Sequence, residues 1–192
     1  MEKLKNYNII LASNSPRRRE LLAGLDLDFE VRVIKGIDES YPPMLAPHDV
    51  AQYIAARKAD AYVKGLAEND LVITADTVVI VDDDILGKPH NATEAQAMLR
   101  RISGRSHQVV TGVCIMTSYT RREFSVSTDV TFRQLGDDEI EYYVSRYSPF
   151  DKAGAYGIQE WIGYVGVTAL NGSYYNVMGL PVQRIYTELK SL

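Results

Sequence analysis

The segment Leu11-Ala12-Ser13-Asn14-Ser15-Pro16-Arg17-Arg18-Arg19 runs from an apolar strand, through small polar residues, into three consecutive arginines at a helix start. Backbone N–H groups at a helix N-terminus have no intrahelical acceptor, so they converge on one spot and favour an anion. Arginines at that end oppose the helix dipole, which costs a few tenths of a kcal/mol each. A phosphate group would offset the cost, because a guanidinium grips it through a bidentate fork. Solvated arginines paired with Glu20 or other acids fit the spacing equally well. On the phosphate reading, removing Arg17 or Arg18 leaves the stability of the unliganded protein level or slightly raised.

Asp76 is the second such residue. It is the one charge within Leu71-Val72-Ile73-Thr74-Ala75-Asp76-Thr77-Val78-Val79-Ile80-Val81. A carboxylate buried without a partner takes up a proton instead of staying charged. Asp76 therefore needs a partner or a purpose, and a metal ion or a proton transfer would supply one. A strand-end residue capping a turn is the bland alternative. Lys58 lies four residues from both Ile54 and Tyr62, so its stem can follow an apolar row while the ammonium emerges at the edge. Lys88 sits in Gly87-Lys88-Pro89, and Lys152 opens Asp151-Lys152-Ala153-Gly154-Ala155-Tyr156-Gly157-Ile158-Gln159. Singly these are surface lysines; with Arg17 and Arg18 they could line one polyphosphate cleft. Glu39 is a loop acid able to reach a metal, and the amide of Gln159 offers the donor and acceptor that a base edge requires.

The elements that must position these residues alternate between β-type and helical patterns, the signature of an α/β fold. Tyr7 to Ala12 reads as a buried strand. Ser15-Pro16 follows as an N-cap with proline at the first helical position, and Gly24 as the stop. Phe29–Ile34 is a short strand, Ser40-Tyr41-Pro42-Pro43 a loop, and about Asp49 to Leu66 a helix. Leu71–Val81 leads through the solvated turn Asp82-Asp83-Asp84 back along Ile85-Leu86. Thr93 and Gln96 have capping-box spacing for a helix ending near Gly104. Strands are expected over Gln108–Thr117 and Glu123–Arg133. Ile140, Tyr143, Val144 and Tyr147 share one helical face. The last quarter reads as glycine-rich loops with a turn at Asn171-Gly172, then a helix from Pro181.

Composition removes several function classes. No stretch approaches the ~18 apolar residues of a membrane span, and the N-terminal residues carry no signal-peptide pattern. One cysteine forms no internal disulfide, which suits a reducing cytoplasm. A net charge of −4 disfavours a general nucleic-acid binder. His48, His90, His107 and Cys114 lack the paired spacings of structural zinc. Neither a Rossmann nor a P-loop fingerprint is present. The residues alone thus describe a soluble, anion-binding α/β protein with one anomalous aspartate.

Six segments in order resemble the Maf family. They are Leu11-Ala12-Ser13-x-Ser15-Pro16-Arg17-Arg18, Ala75-Asp76-Thr77, Gly87-Lys88-Pro89, Ile102-Ser103-Gly104-x-x-His107-x-Val109-x-Thr111, Asp151 to Gln159, and Asn171-Gly172-Ser173-Tyr174 with Gly179-Leu180-Pro181. The resemblance spans roughly Asn8 to Leu189. It implies one Maf-like domain over residues 1–192, with an elongated mixed sheet flanked by helices and a cleft between two lobes, similar to the inosine triphosphatases. The activity implied is a nucleoside triphosphate pyrophosphatase of the dTTP/UTP subgroup, using Mg²⁺ or Mn²⁺. By resemblance Asp76 is the proton acceptor, a metal ligand, or both, and Glu39 an acid near the metal. Arg17, Thr77 and Gln159 take the positions that separate substrate classes; Ser13, Arg18, Lys58, Lys88 and Lys152 take polar cleft positions. Alternatives are a modified pyrimidine triphosphate as substrate, a 7-methyl-GTP pyrophosphatase, and a non-catalytic nucleotide-binding regulator of septum formation. A homodimer is common among relatives. Glu160-Trp161 departs from the small residues many relatives carry there and could reshape the base pocket.

Overall fold

Seven strands form one mixed sheet in the order β2-β1-β3-β5-β6-β7, with β4 off this path against β3. The computed structural model describes residues 2–192. The strands are β1 (Asn8–Leu11), β2 (Glu30–Val31), β3 (Asp70–Val81), β4 (Asp84–Leu86), β5 (Ser106–Met116), β6 (Arg121–Phe132) and β7 (Val167–Asn171). The helices are α1 (Pro16–Ala23), α2 (Pro47–Asp60), α3 (Ala92–Ile102), α4 (Asp137–Tyr147), α5 (Trp161–Gly166), α6 (Tyr174–Met178) and α7 (Val182–Lys190). Crossovers through α1 and α2 make β1 parallel to β2 and β3, whereas β4 and β7 pair antiparallel with β3 and β6. Strands covered on both faces read as continuous apolar runs, and β3 is buried along its length except at Asp76 and Thr77. β6 alternates instead and keeps one face wet.

The chain divides into two compact units. The first holds the chain up to Asp76 with Thr111–Val126 and Gly179–Leu192; the second holds Thr77–Val110 and Ser127–Met178. In the first, Ile10, Val72, Cys114 and Met116 pack against Ala59 and Tyr62. Burial pushes the Cys114 thiol up to about 12, which makes it a small core side chain and not a nucleophile. In the second, Leu99, Ile102, Phe132, Tyr143, Ile158 and Ile162 belong to one buried cluster. Among the described residues no helix is long and apolar enough to cross a membrane.

Four details depart from the sequence expectation. Strand β2 covers two residues, because the Tyr62 hydroxyl donates to Arg32 O at 2.7 Å and accepts from Ile34 N–H at 3.1 Å, replacing a sheet partner. Helix α2 starts earlier, at Pro47, whose missing N–H costs nothing in a first turn, and ends at Asp60. The cap of α3 is Asn91, which accepts from Glu94 N–H at 2.9 Å, and not Thr93. Elements α5, β7 and α6 occupy a stretch read as loop. Gly163 misleads there: it serves close packing, since a Cβ at that position would lie 1.8 Å from Ile158 O.

Candidate functional site

In the first unit β1 delivers the chain directly to α1. Ser13 is buried, and its Oγ accepts from Ser15 N–H at 3.2 Å. Ser15 then caps α1 by accepting from Arg18 N–H at 3.4 Å, with proline next in line and no acid in the first turn. Arg17 and Arg18 are both half-buried. The Arg18 guanidinium donates to Ala75 O at 2.9 Å and to Gly179 O at 2.8 Å. Burial pushes Arg18 below the ordinary arginine value, opposed chiefly by the nearby Asp76 carboxylate. Arg18 therefore tethers the strand beside Asp76 as well as carrying charge, so removing it cannot be neutral to stability.

Asp76 lies in the interior of β3, which excludes a strand-end cap. Its partner comes from α2. That helix rests directly on the sheet, because a Cβ on Gly112 of β5 would stand 2.2 Å from Gln52 N. Thr74 fixes the same contact by donating to Ala55 O at 2.6 Å. One turn further, Lys58 reaches Asp76 Oδ1 at 2.7 Å and Glu39 Oε1 at 3.2 Å. Asp76 Oδ2 receives no hydrogen bond among the described residues. The Glu39 loop is shaped by Asp38, which accepts from the backbone and hydroxyl of Ser40 and pairs with Arg57 at 3.6 Å. These contacts, the Ser40 N–H first, hold the Asp38 carboxyl below its usual value. Among the described residues no group of three or more His, Cys, Asp or Glu side chains could hold a metal. Any divalent ion here would have two carboxylates, Glu39 and Asp76.

In the second unit Thr77 continues β3, half-buried. Lys88 is exposed on the loop whose Gly87 O accepts from Gly154 N–H at 3.1 Å. Lys152 is buried and pairs with Asp151 at 2.8 Å and with Glu160 at 3.2 Å. Glu160 also accepts from the Tyr143 hydroxyl. Gln159 stands beside this group, its Oε1 buried and without a hydrogen-bond partner among the described residues. The structure thus gathers Arg18, Glu39, Lys58 and Asp76 in one unit, and Lys152, Gln159 and Glu160 in the other. Nothing in the residue pattern marks Tyr143 beyond its place on the apolar face of α4, because a phenol at a core position reads as ring alone.

The Maf-like protein family model matches residues 8–192. A Parabacteroides distasonis protein named dTTP/UTP pyrophosphatase is 60% identical over 190 residues, covering 99% of this chain and 98% of its own. A Phocaeicola vulgatus protein of the same name is 55% identical over 192 residues, all of both chains. Among solved structures, the Ham1 protein of Staphylococcus aureus superposes with a TM-score of 0.56 over 96% of this chain and 98% of its own, at 16% identity. That of Coxiella burnetii gives 0.52 at 16% identity, covering 97% of this chain and 100% of its own. Likeness at that identity shows a shared fold.

Proposed function

The chain belongs to the Maf family, and from that premise we propose that it hydrolyses dTTP and UTP to the nucleoside monophosphate and pyrophosphate. The observation that carries this reading is the Asp76 carboxylate, fixed through one oxygen by Lys58 and, among the described residues, without a hydrogen bond at the other. The name shared by relatives at 55% and 60% identity supports the choice of substrate. Water attacks the α-phosphorus, its proton passes to Asp76, and the bond to the bridging oxygen breaks as pyrophosphate departs. A general base needs one oxygen able to accept that proton while the rest of the group stays oriented. Arg17 and Arg18, with Ser13 beside them, would hold phosphate oxygens, and fixed cations are most valuable where charge develops. In the second unit the resemblance gives Lys88 and Lys152 polar positions, and Thr77 and Gln159 positions that separate substrate classes.

Glu39 and Asp76 offer hard oxygen donors that meet at one ammonium, that of Lys58. Mg²⁺ and Mn²⁺ commonly take one or two carboxylates and complete their shells with water and substrate phosphate. The two residues fit such an ion and would hold it. When bound it would supply charge neutralisation and a more acidic water. A nucleotide panel assayed for both products, with Mg²⁺ or Mn²⁺ and then with EDTA, tests the reading. The expected result is monophosphate plus pyrophosphate from dTTP and UTP, abolished by EDTA. Diphosphate plus orthophosphate would mean attack at another phosphorus and would end the proposal.

A further inference from the structure

Glu160-Trp161 is the pair that the proposed reaction leaves without a task. Glu160 Oε2 accepts from the Tyr143 hydroxyl, and the Tyr143 oxygen in turn accepts from Gly157 N–H at 3.0 Å. Glu160 Oε1 lies 3.2 Å from Lys152 Nζ. The backbone closes the same turn, with Glu160 N–H donating to Gly157 O at 3.0 Å. Three side chains crowd the bare face of Gly157. A Cβ there would meet Glu160 Cδ at 3.0 Å, Lys152 Cε at 3.1 Å and Gln159 Nε2 at 3.2 Å. Burial, and then the Glu160 carboxylate, push the Tyr143 phenol above its ordinary value, so it remains a donor. Trp161 packs edge-on against Tyr142 at 4.9 Å, which holds the start of α5 against α4.

We infer that Tyr143 and Glu160 form a positioning pair that sets the Gln159 amide for a pyrimidine carrying a proton on N3. The inference rests on the proposed action on dTTP and UTP. Gln159 Oε1 is a buried acceptor without a partner among the described residues, and such an atom carries a desolvation cost until a donor meets it. Uracil and thymine present N–H at N3. Cytosine presents a bare nitrogen there and would set lone pair against lone pair. Discrimination of this kind depends on holding the amide in place, because a mobile glutamine could rotate to offer its NH₂ instead. Tyr143 and Glu160 act through the turn and need not touch the nucleotide.

The test compares wild type, Tyr143→Phe and Glu160→Gln in steady-state assays on dTTP and dCTP, with dTTP binding measured by calorimetry without metal. Losing a buried hydrogen bond in the turn should raise KM and Kd for dTTP about 5- to 50-fold. Turnover at saturation should stay within about threefold, since the lost contact is not specific to the transition state. The preference for dTTP over dCTP should narrow. A folded Tyr143→Phe with wild-type KM, Kd and preference overturns the inference, as does a fall in kcat with the other three unchanged. If Tyr143→Phe does not fold, Glu160→Gln, which keeps an oxygen for the phenol but loses the ion pair with Lys152, tests the same turn through its other contact. Loss of folding in both reduces the pair to stability and overturns it. Wild type that binds dTTP without hydrolysing it breaks the proposed reaction, yet the calorimetric comparison still decides the positioning pair. Wild type that neither binds nor hydrolyses dTTP overturns both.

Discussion

Lys58 and Lys152 each reach two carboxylates: Glu39 and Asp76 in the first unit, Asp151 and Glu160 in the second. In both sets the outer acid is more than half exposed and the inner acid is largely covered, at 16% for Asp76 and 20% for Glu160. The difference lies in the second oxygen of the inner acid. That of Glu160 is taken by Tyr143, whereas that of Asp76 has no donor among the described residues. A carboxylate engaged at both oxygens holds structure; one engaged at a single oxygen keeps capacity for a proton or a cation. Similar electrostatics thus leave one oxygen of the inner acid without a donor among the described residues of one unit and brace both in the other, with a single tyrosine making the distinction.

The largest expected effect comes from Asp76→Asn, which keeps the shape and removes the accepting oxygen. Turnover should fall at least about a hundredfold, the usual scale for a general base, while the protein remains folded. Near-normal turnover would erase the distinction between the two acids.

Acid should act next, through the second unit. Burial lowers His107 from 6.5 to about 4. Between those values the unfolded chain takes up a proton that the folded chain refuses. Stability is therefore complete above about pH 6.5 and declines as pH falls towards 4, by roughly 3 kcal/mol in all. His107→Gln should flatten that slope in urea unfolding measured across this range. A slope unchanged by the substitution would show that other groups cause the decline.

Arg18→Ala gives the smallest effect and sharpens the comparison within the first unit. Ala75 O and Gly179 O would each lose a charged donor, so stability should drop by about 1–3 kcal/mol. This reverses the expectation drawn from the helix dipole alone. A melting temperature equal to that of wild type would restore the purely functional role.

Much of the local design is legible in the residues. Ser15-Pro16 marks a helix start because capping and proline geometry act over three residues. Asp76 stands out because a lone charge in an apolar strand run demands an explanation wherever that strand lies. The same logic of local pattern misread Trp161–Gly166, since a glycine that permits close packing cannot be told from one that permits a turn. The family motifs carried the expected reaction and its residues.

Tertiary structure alone decided which charges meet. Arg18 finds the carbonyl of Gly179, 161 residues away, and Lys58 joins two acids that approach it from opposite directions along the chain. Tyr143 reaches Glu160 from a helix face that the sequence marks simply as apolar. Apolar periodicity determined the elements because burial depends on side-chain type and spacing. Ångström-scale pairing between elements depends on how the backbones pack: Gly112 lets α2 sit against the sheet, and that contact carries Lys58 to Asp76.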